Sequence, residues 1–423
     1  MTWISDICCG RYFVWGNEVK LRTTCFCAEY SLIIVGFKMS SPLPKATTKK
    51  KKENEANDIN TNKKQKKVAA ALIPEIIPRD ALESADEDFK DDDDETKRRF
   101  TAVAFNVAGL RALLKNKPEC LRKIADETKC DAMMFSEHKL NPENVEEATR
   151  QLKELLPEFT TVKFACSTAK KGYAGVCVLA KGECEEARKK EGGKSPMKQT
   201  SIKDMFGGGA SEKKKEAPIP TNAAAARRYD GPKLLKVTEG LLDGKHLSEG
   251  RAITLEYESF NALFTYVPNS GQKLDRLDWR INTWEKECRE HLNALQAKKP
   301  TIYGGDLNVA HLDIDIYNVD AKHIPKSAGT TPEERNAFGV MTRECDMKDC
   351  FRYFHPGKSG WFTYWSQRVG NRPKNRGLRL DYFLASSKMF AKDAHVKVVS
   401  SRILTEMNGS DHCPVSITLA LRE

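Results

Sequence analysis

Several short segments place a polar side chain at the end of an otherwise apolar, strand-like run. At 300–311, PTIYGGDLNVAH runs into Gly-Gly and then presents Asp306 and Asn308. Strand alternation puts these two on one face, with Leu307 turned the other way. A carboxylate and an amide so placed can position a water and a phosphate oxygen, yet Asp-x-Asn after a strand is equally ordinary turn chemistry. By itself the segment leaves both open. At 409–414, GSDHCP sets Asp411 and His412 at the entrance to the strand-like 415–421, where a lone histidine is more often structural. At 377–384, GLRLDYFL, Asp381 interrupts a β-prone run. Burying a carboxylate unpaired is costly, so Asp381 needs a partner. His412 is a candidate, and a carboxylate that fixes an imidazole's tautomer recurs in catalytic sites. AMMFSEHK at 132–139 ends with Glu137, and AVAFNVAG at 102–109 carries Asn106. Hard oxygen ligands supplied singly from separate strands suit Mg²⁺, which keeps several waters and binds through one or two carboxylates plus substrate phosphate. Tyr266, in FTYVPNSG, adds a phenol at another strand end, with Asn269 three residues on.

Those groups need a scaffold, and from Phe100 onward apolar runs alternate with amphipathic stretches such as 110–127 and 276–296, an α/β rhythm. The domain expected over 100–423 is interrupted at 185–228, where the pattern collapses into Lys, Gly, Ala and Pro and predicts a long disordered insertion. Residues 39–99, Lys-rich and then acidic with few aromatics, predict a disordered tail. Its clusters at 49–52 and 63–67 suit nuclear import, nonspecific DNA contact or mere solvation. Residues 1–38 read either as a targeting segment or as sequence upstream of a start at Met39; Asp6, Glu18 and Glu29 argue against a strong transit peptide. A chain of 423 residues holds one large domain with tails, or two domains. Its net charge of +11 suits a polyanionic partner without specifying a reaction. Thirteen cysteines lack metal-finger spacing, which favours a reduced compartment and leaves no zinc cluster to compete. The apolar run 31–37 falls far short of the roughly 20 residues that span a bilayer, so no membrane partner is expected.

In order and wording, Asn106, Glu137, Tyr266, Asp306, Asn308, Asp381, Asp411 and His412 resemble the exonuclease III family of apurinic/apyrimidinic endonucleases, within the endonuclease/exonuclease/phosphatase fold. The resemblance runs from about Phe100 to Leu421; GDLNVAH, RLDYFL and GSDHCP are its most specific pieces, with GYAGV and EGR around Tyr173 and Arg251 in support. It implies an α/β fold, a four-layered sandwich of two mixed β-sheets flanked by helices, with the site among loops at one end of the sheets. It implies Glu137 as the main carboxylate for Mg²⁺, or alternatively Mn²⁺, with Asn106, Asp411, Asp306, Asn308 and His412 around the ion. Asp306 would activate water or protonate the leaving oxygen, and His412, oriented by Asp381, would hold the scissile phosphate or share in activation. Tyr266, Asn269 and Asn308 would contact the phosphate, and Arg251 the DNA. The implied substrate is double-stranded DNA with an abasic site, cut 5′ to the lesion to leave a 3′-hydroxyl, with 3′–5′ exonuclease or 3′-repair side activities. Tyr364, Leu378 and Leu380 would receive the flipped sugar, which no base pair holds in place.

This chain departs from the family's pattern in three places: Ala108 stands where an acid is usual, Ser136 where Gln is, and Leu378 where Trp is. Within the insertion, QTSIKDMF at 199–206 resembles the box that docks on the sliding clamp PCNA, with Gln199 leading and Ile202, Met205 and Phe206 as the apolar plug. A nuclear monomer is expected, with mitochondrion or plastid as the alternative location. DNase-like nucleases and lipid or inositol phosphatases of the same fold carry other residues at the Tyr266 and GDLN positions. A further alternative, a catalytically weak clamp-tethered DNA scaffold, draws on Ala108 and the basic tail.

Overall fold

The computed structural model describes residues 98–192 and 229–422, and the backbone of two strands, β1 (Arg11–Trp15) and β2 (Glu18–Arg22), which pair antiparallel. Residues 199–206, with Gln199, Ile202, Met205 and Phe206, lie outside the described residues.

One six-stranded sheet has the order β13 (Val396–Ile403), β14 (Val415–Leu421), β3 (Arg98–Asn106), β4 (Ala132–Ser136), β6 (Val176–Ala180), β5 (Thr161–Ala165). The other has the order β11 (Met347–Asp349), β12 (Asp381–Ser386), β10 (Thr301–Asp306), β9 (Asn261–Tyr266), β8 (Ala252–Tyr257), β7 (Leu234–Glu239). Each is antiparallel except for one central parallel pair, β3 with β4 and β10 with β9. The two sheets therefore share one pattern of strand directions.

Alternation along the strands builds the layers. Ala102, Ala104, Met134 and Val178 of the first sheet meet Ile253, Phe264, Ile302 and Phe383 of the second in an inner core. The opposite faces are covered by helices. Val103, Phe105, Met133 and Leu179 pack under helices α1 (Leu110–Asn116), α2 (Glu119–Thr128) and α3 (Val145–Leu155). Leu263, Tyr303 and Leu384 are covered by residues of two later helices, Leu292 and Phe338 among them. The result is helix, sheet, sheet, helix, the four layers expected.

Local details differ from the sequence expectations. The helix expected over 110–127 is two helices, because Pro118 has no N–H to donate and disfavours helical geometry at Lys117, which sits at φ −150°. Of the disordered insertion expected over 185–228, the described part, Glu185–Gly192, is helical (α4), and the thiol of neighbouring Cys184 approaches Leu235 O at 3.6 Å; residues 193–228 lie outside the described residues. The helix over 276–296 opens as a short turn and a π-helical stretch, Arg280–Glu285, before α5 (Lys286–Gln296). Two further helices follow, α6 (Pro332–Glu344) and α7 (Cys350–Phe354).

Candidate active site

The parallel pair of each sheet ends at the same rim, and register fixes who meets whom. Asp306 ends β10 opposite Tyr266 of β9 and Asp381 of β12. Asn106 ends β3 opposite Ser136, so Glu137 follows immediately. Gly305 is required here, since at φ +133° a Cβ would lie 2.0 Å from Thr265 O. Gly175 of GYAGV is required too, for a Cβ would lie 2.4 Å from the ring of His138.

Asn106 joins the two sheets: its amide donates to Glu137 Oε1 at 3.0 Å and to Asp306 Oδ2 at 2.9 Å, while its oxygen accepts from Ala108 N. Tyr266 OH donates to Glu137 Oε1 at 2.8 Å, and Lys139 Nζ lies 2.9 Å from Glu137 Oε2. Burial would raise the Glu137 carboxyl, but Asn106 and the Lys139 ammonium outweigh it and hold it below the usual range. Across the rim, His412 Nδ1 bonds Asp381 Oδ2 at 2.7 Å and its Nε2 lies 4.0 Å from Asp306 Oδ2. All three are buried, and Asp381 Oδ1 has no hydrogen-bond partner. Burial and the Asp381 charge raise Asp306, partly offset by His412 and Asn106. Burial opposes a charge on His412, yet Asp381 and Asp306 overcome it and raise the imidazole. Asp306 and His412 thus each hold a proton more tightly than the isolated groups would.

The expected metal residues divide. Glu137, Asn106 and Asp306 form one hydrogen-bonded group, and Asp306, Asp381 and His412 bring ligating atoms within 4.8 Å of one another. Glu137 and Asp306 are hard donors bridged by a single amide, a set that fits an oxygen-seeking divalent cation. Asp411 instead accepts from Ser410 Oγ at 3.1 Å, although its charge reaches His412. Asn308 is not on the strand face with Asp306. The strand stops at Asp306, Asn308 turns to φ +50°, and its N–H donates to Asp306 Oδ1 at 2.9 Å. Its side chain then meets Asn269 at 2.9 Å and Val267 O at 2.8 Å.

Tyr364, Leu378 and Leu380 lie together with Ala310, Ile316, Val319 and Ile324 in one packed apolar cluster. The Tyr364 ring lies 4.9 Å from that of His412. Arg251 is buried, and its guanidinium serves the protein itself, donating to Glu249, Tyr266 O and Tyr173 OH. Its expected contact with DNA is therefore replaced by support of Tyr173 and Tyr266. A cleft of about 1180 Å³ lined by Lys163, Phe164, Lys236 and His291 contains none of the site residues, so size alone does not mark the site.

Sequence reasoning missed the supports. Arg280, fully buried, donates to Leu307 O and Asn308 O at 2.8 Å each and pairs with Glu334 at 2.9 Å. Glu334 also accepts from Gly329 N and Ser270 Oγ, tying the Asn269 loop to the Asp306 loop. Thr331-x-x-Glu334 with Pro332 is a capping-box signal visible in sequence that could have drawn attention to it. Arg372 donates to the carbonyls of Thr405, Met407, Ser410 and His412, holding the loop that carries the histidine.

Comparison with known proteins agrees with this geometry. The pattern described as Endonuclease/Exonuclease/phosphatase family matches residues 103–412. A DNA-(apurinic or apyrimidinic site) endonuclease of Dictyostelium discoideum is 45% identical over 186 residues, 44% of this chain and 50% of that protein. A DNA repair nuclease of Danio rerio is 41% identical over 44% of this chain and 57% of its own. The chain thus spans little more than half the length of these two. An exodeoxyribonuclease of Bacillus subtilis is 35% identical over 53% of this chain and 86% of its own. The crystal structure of an AP endonuclease from Leishmania major superposes with a TM-score of 0.57 at 27% identity, covering 76% of this chain and 88% of that one.

Proposed function

Because the chain belongs to the endonuclease/exonuclease/phosphatase family, on its exonuclease III branch, we propose that it hydrolyses the phosphodiester 5′ to an abasic site in double-stranded DNA. The observation that carries this is Asp306, a buried carboxylate with raised proton affinity between the Asn106 amide and the His412–Asp381 pair. A group that exchanges a proton nearer neutrality than an ordinary aspartate is suited to general acid–base work.

In this mechanism a water oxygen attacks phosphorus, the bond from phosphorus to the 3′-oxygen breaks, and a 3′-hydroxyl and a 5′-deoxyribose phosphate result. One member of the Asp306–His412 pair takes the water's proton, and the other gives one to the leaving 3′-oxygen. Asp381 keeps Nδ1 of His412 occupied, so Nε2 faces the reacting phosphate. Asn269 and Asn308, each with one amide N–H beyond the bonds described above, would donate it to the phosphate oxygens where negative charge develops, and Tyr266 would do so by turning its one hydroxyl proton from Glu137 to the phosphate. Mg²⁺ or Mn²⁺, held by Glu137 with Asn106 and Asp306, would supply Lewis-acid charge at the phosphoryl oxygen. The deoxyribose, which needs no unpairing to leave the stack, would be received against the apolar cluster of Tyr364, Leu378 and Leu380.

The wider setting belongs to the same proposal: a nuclear monomer, addressed by its Lys clusters, with 199–206 as a tether to the sliding clamp. Its N-terminal 38 residues leave mitochondrion or plastid as the alternative destination. The weak-scaffold alternative has no supporting observation. The test is a duplex with one tetrahydrofuran abasic analogue, with Mg²⁺, with EDTA, and with Asp306→Asn. Incision directly 5′ to the analogue, lost in both controls, is expected; binding without incision by the parent protein would sink the proposal.

A further inference from the structure

Lys139 sits directly against the carboxylate assigned to the ion. Backbone bonds fix its position: Lys139 N donates to Ala174 O at 2.9 Å, and Leu110 N and Val107 N reach across to His138 O and Ser136 O. The loops carrying residues 108 and 137 are thereby stitched together, and the ammonium reaches back between them. It lies 2.9 Å from Glu137 Oε2 and 3.3 Å from Ala108 O. Glu137 Oε1 already accepts from Asn106 and Tyr266, so the ammonium occupies the oxygen left for a ligand. On the facing loop, residue 108 offers the ammonium its neutral backbone carbonyl but a side chain that is only a methyl group, so among the described residues Glu137 is the one anion the ammonium is paired with there.

We propose that Lys139 is a built-in counter-cation that competes with the divalent ion for Glu137, and that residue 108 sets how strongly it competes. The inference rests on Glu137 being an ion ligand, as argued above. Two cations at one carboxylate repel, so loading the ion must push the ammonium out or share the charge with it. An aspartate at 108 would stand within reach of Nζ, and it suits the left-handed φ of +50° there better than alanine does. Lys139 thus tunes ion affinity from a position that need not touch the substrate.

Mn²⁺ titration of metal-free full-length protein without DNA, followed by the EPR signal of free Mn²⁺, tests this directly. Lys139→Met should tighten Mn²⁺ about three- to fivefold, as expected for removing a partly exposed charge pair, with the gain shrinking as salt rises. Ala108→Asp should also tighten binding, but by less in the Lys139→Met background, because part of its effect runs through the lysine. Full additivity of the two would overturn the role given to residue 108. Equal or weaker Mn²⁺ binding by Lys139→Met, with an unchanged unfolding midpoint, would overturn the counter-cation. Glu137→Gln separates the levels: undiminished Mn²⁺ binding there would instead remove the ligand assignment on which the inference stands.

Discussion

Two buried clusters of charge lie one residue apart in the chain and are built to opposite ends. On one side of Leu380, Arg379 and Arg352 enclose Asp315, with Asp349 adjoining. Both oxygens of Asp315 are bonded, and although burial would raise its carboxyl, the two guanidiniums hold it down to about 2. Two acids face two bases, and the group braces the chain at Leu378, where Arg379 N donates to Asp315 O and Ile316 bridges to Leu378. On the other side, Asp381, Asp306 and His412 give two acids to one base, and Asp381 keeps an unpartnered oxygen. A saturated, balanced cluster is structural; the imbalanced, unsaturated one retains proton affinity and an acceptor for chemistry.

The sharpest way to break this contrast is Asp306→Asn. It should lower single-turnover incision by about 10³-fold or more while duplex binding stays within a few-fold; a loss below tenfold would remove the distinction. Next comes Asp315→Asn, which removes the charge that two buried guanidiniums share and leaves Asp349 alone against them, and should cost about 3 kcal/mol in urea unfolding. Incision per folded molecule should stay near the parent's.

Smaller, but more diagnostic, is the pH signature, because the clusters carry opposite signs. The lowered Asp315 contributes stability that is present above its unfolded value near 3.9 and is lost as pH falls toward about 2. The raised His412 contributes stability that is full below its unfolded value near 6.5 and is lost as pH rises through its higher folded value. Urea midpoints against pH should show the parent's margin over Asp315→Asn closing in acid, and its margin over His412→Gln closing in alkali. Margins that close on the same side would mean the assigned charge states are wrong. The smallest expected effect is Leu378→Ala, which trims the apolar cluster proposed to receive the sugar and should raise KM for abasic DNA about threefold with kcat little changed.

Much of the candidate site was legible because strand-end positions are local: alternation and an abrupt polar residue raise Glu137, Asp306, Asp381 and His412 as candidates, and their order along the chain, matching a family's, decides between chemistry and ordinary turn or structural roles. The Asp306–Asn308 geometry was misjudged because alternation was carried two residues past the end of β10. An arginine at a strand start gives no local sign of burial, so the sequence does not separate the buried Arg251 from one free to meet DNA. The supports were out of reach for a different reason. Arg280 and Glu334 are 54 residues apart and Asp315 and Arg379 are 64 apart, so only the folded chain makes them neighbours.

The matching strand directions of the two sheets have a practical consequence for dividing the molecule. A chain cut anywhere from 193 to 228 leaves Asn106 and Glu137 on one polypeptide and Tyr266, Asp306, Asp381 and His412 on the other. The second piece also keeps β14, which zips along β3 of the first from Val415 opposite Ala104 to Leu421 opposite Arg98. Neither fragment holds a full set of reacting groups, so each should be inert alone. Co-expressed, they should act as a split pair, in which recovery of the proposed DNA incision would report that the halves have found one another.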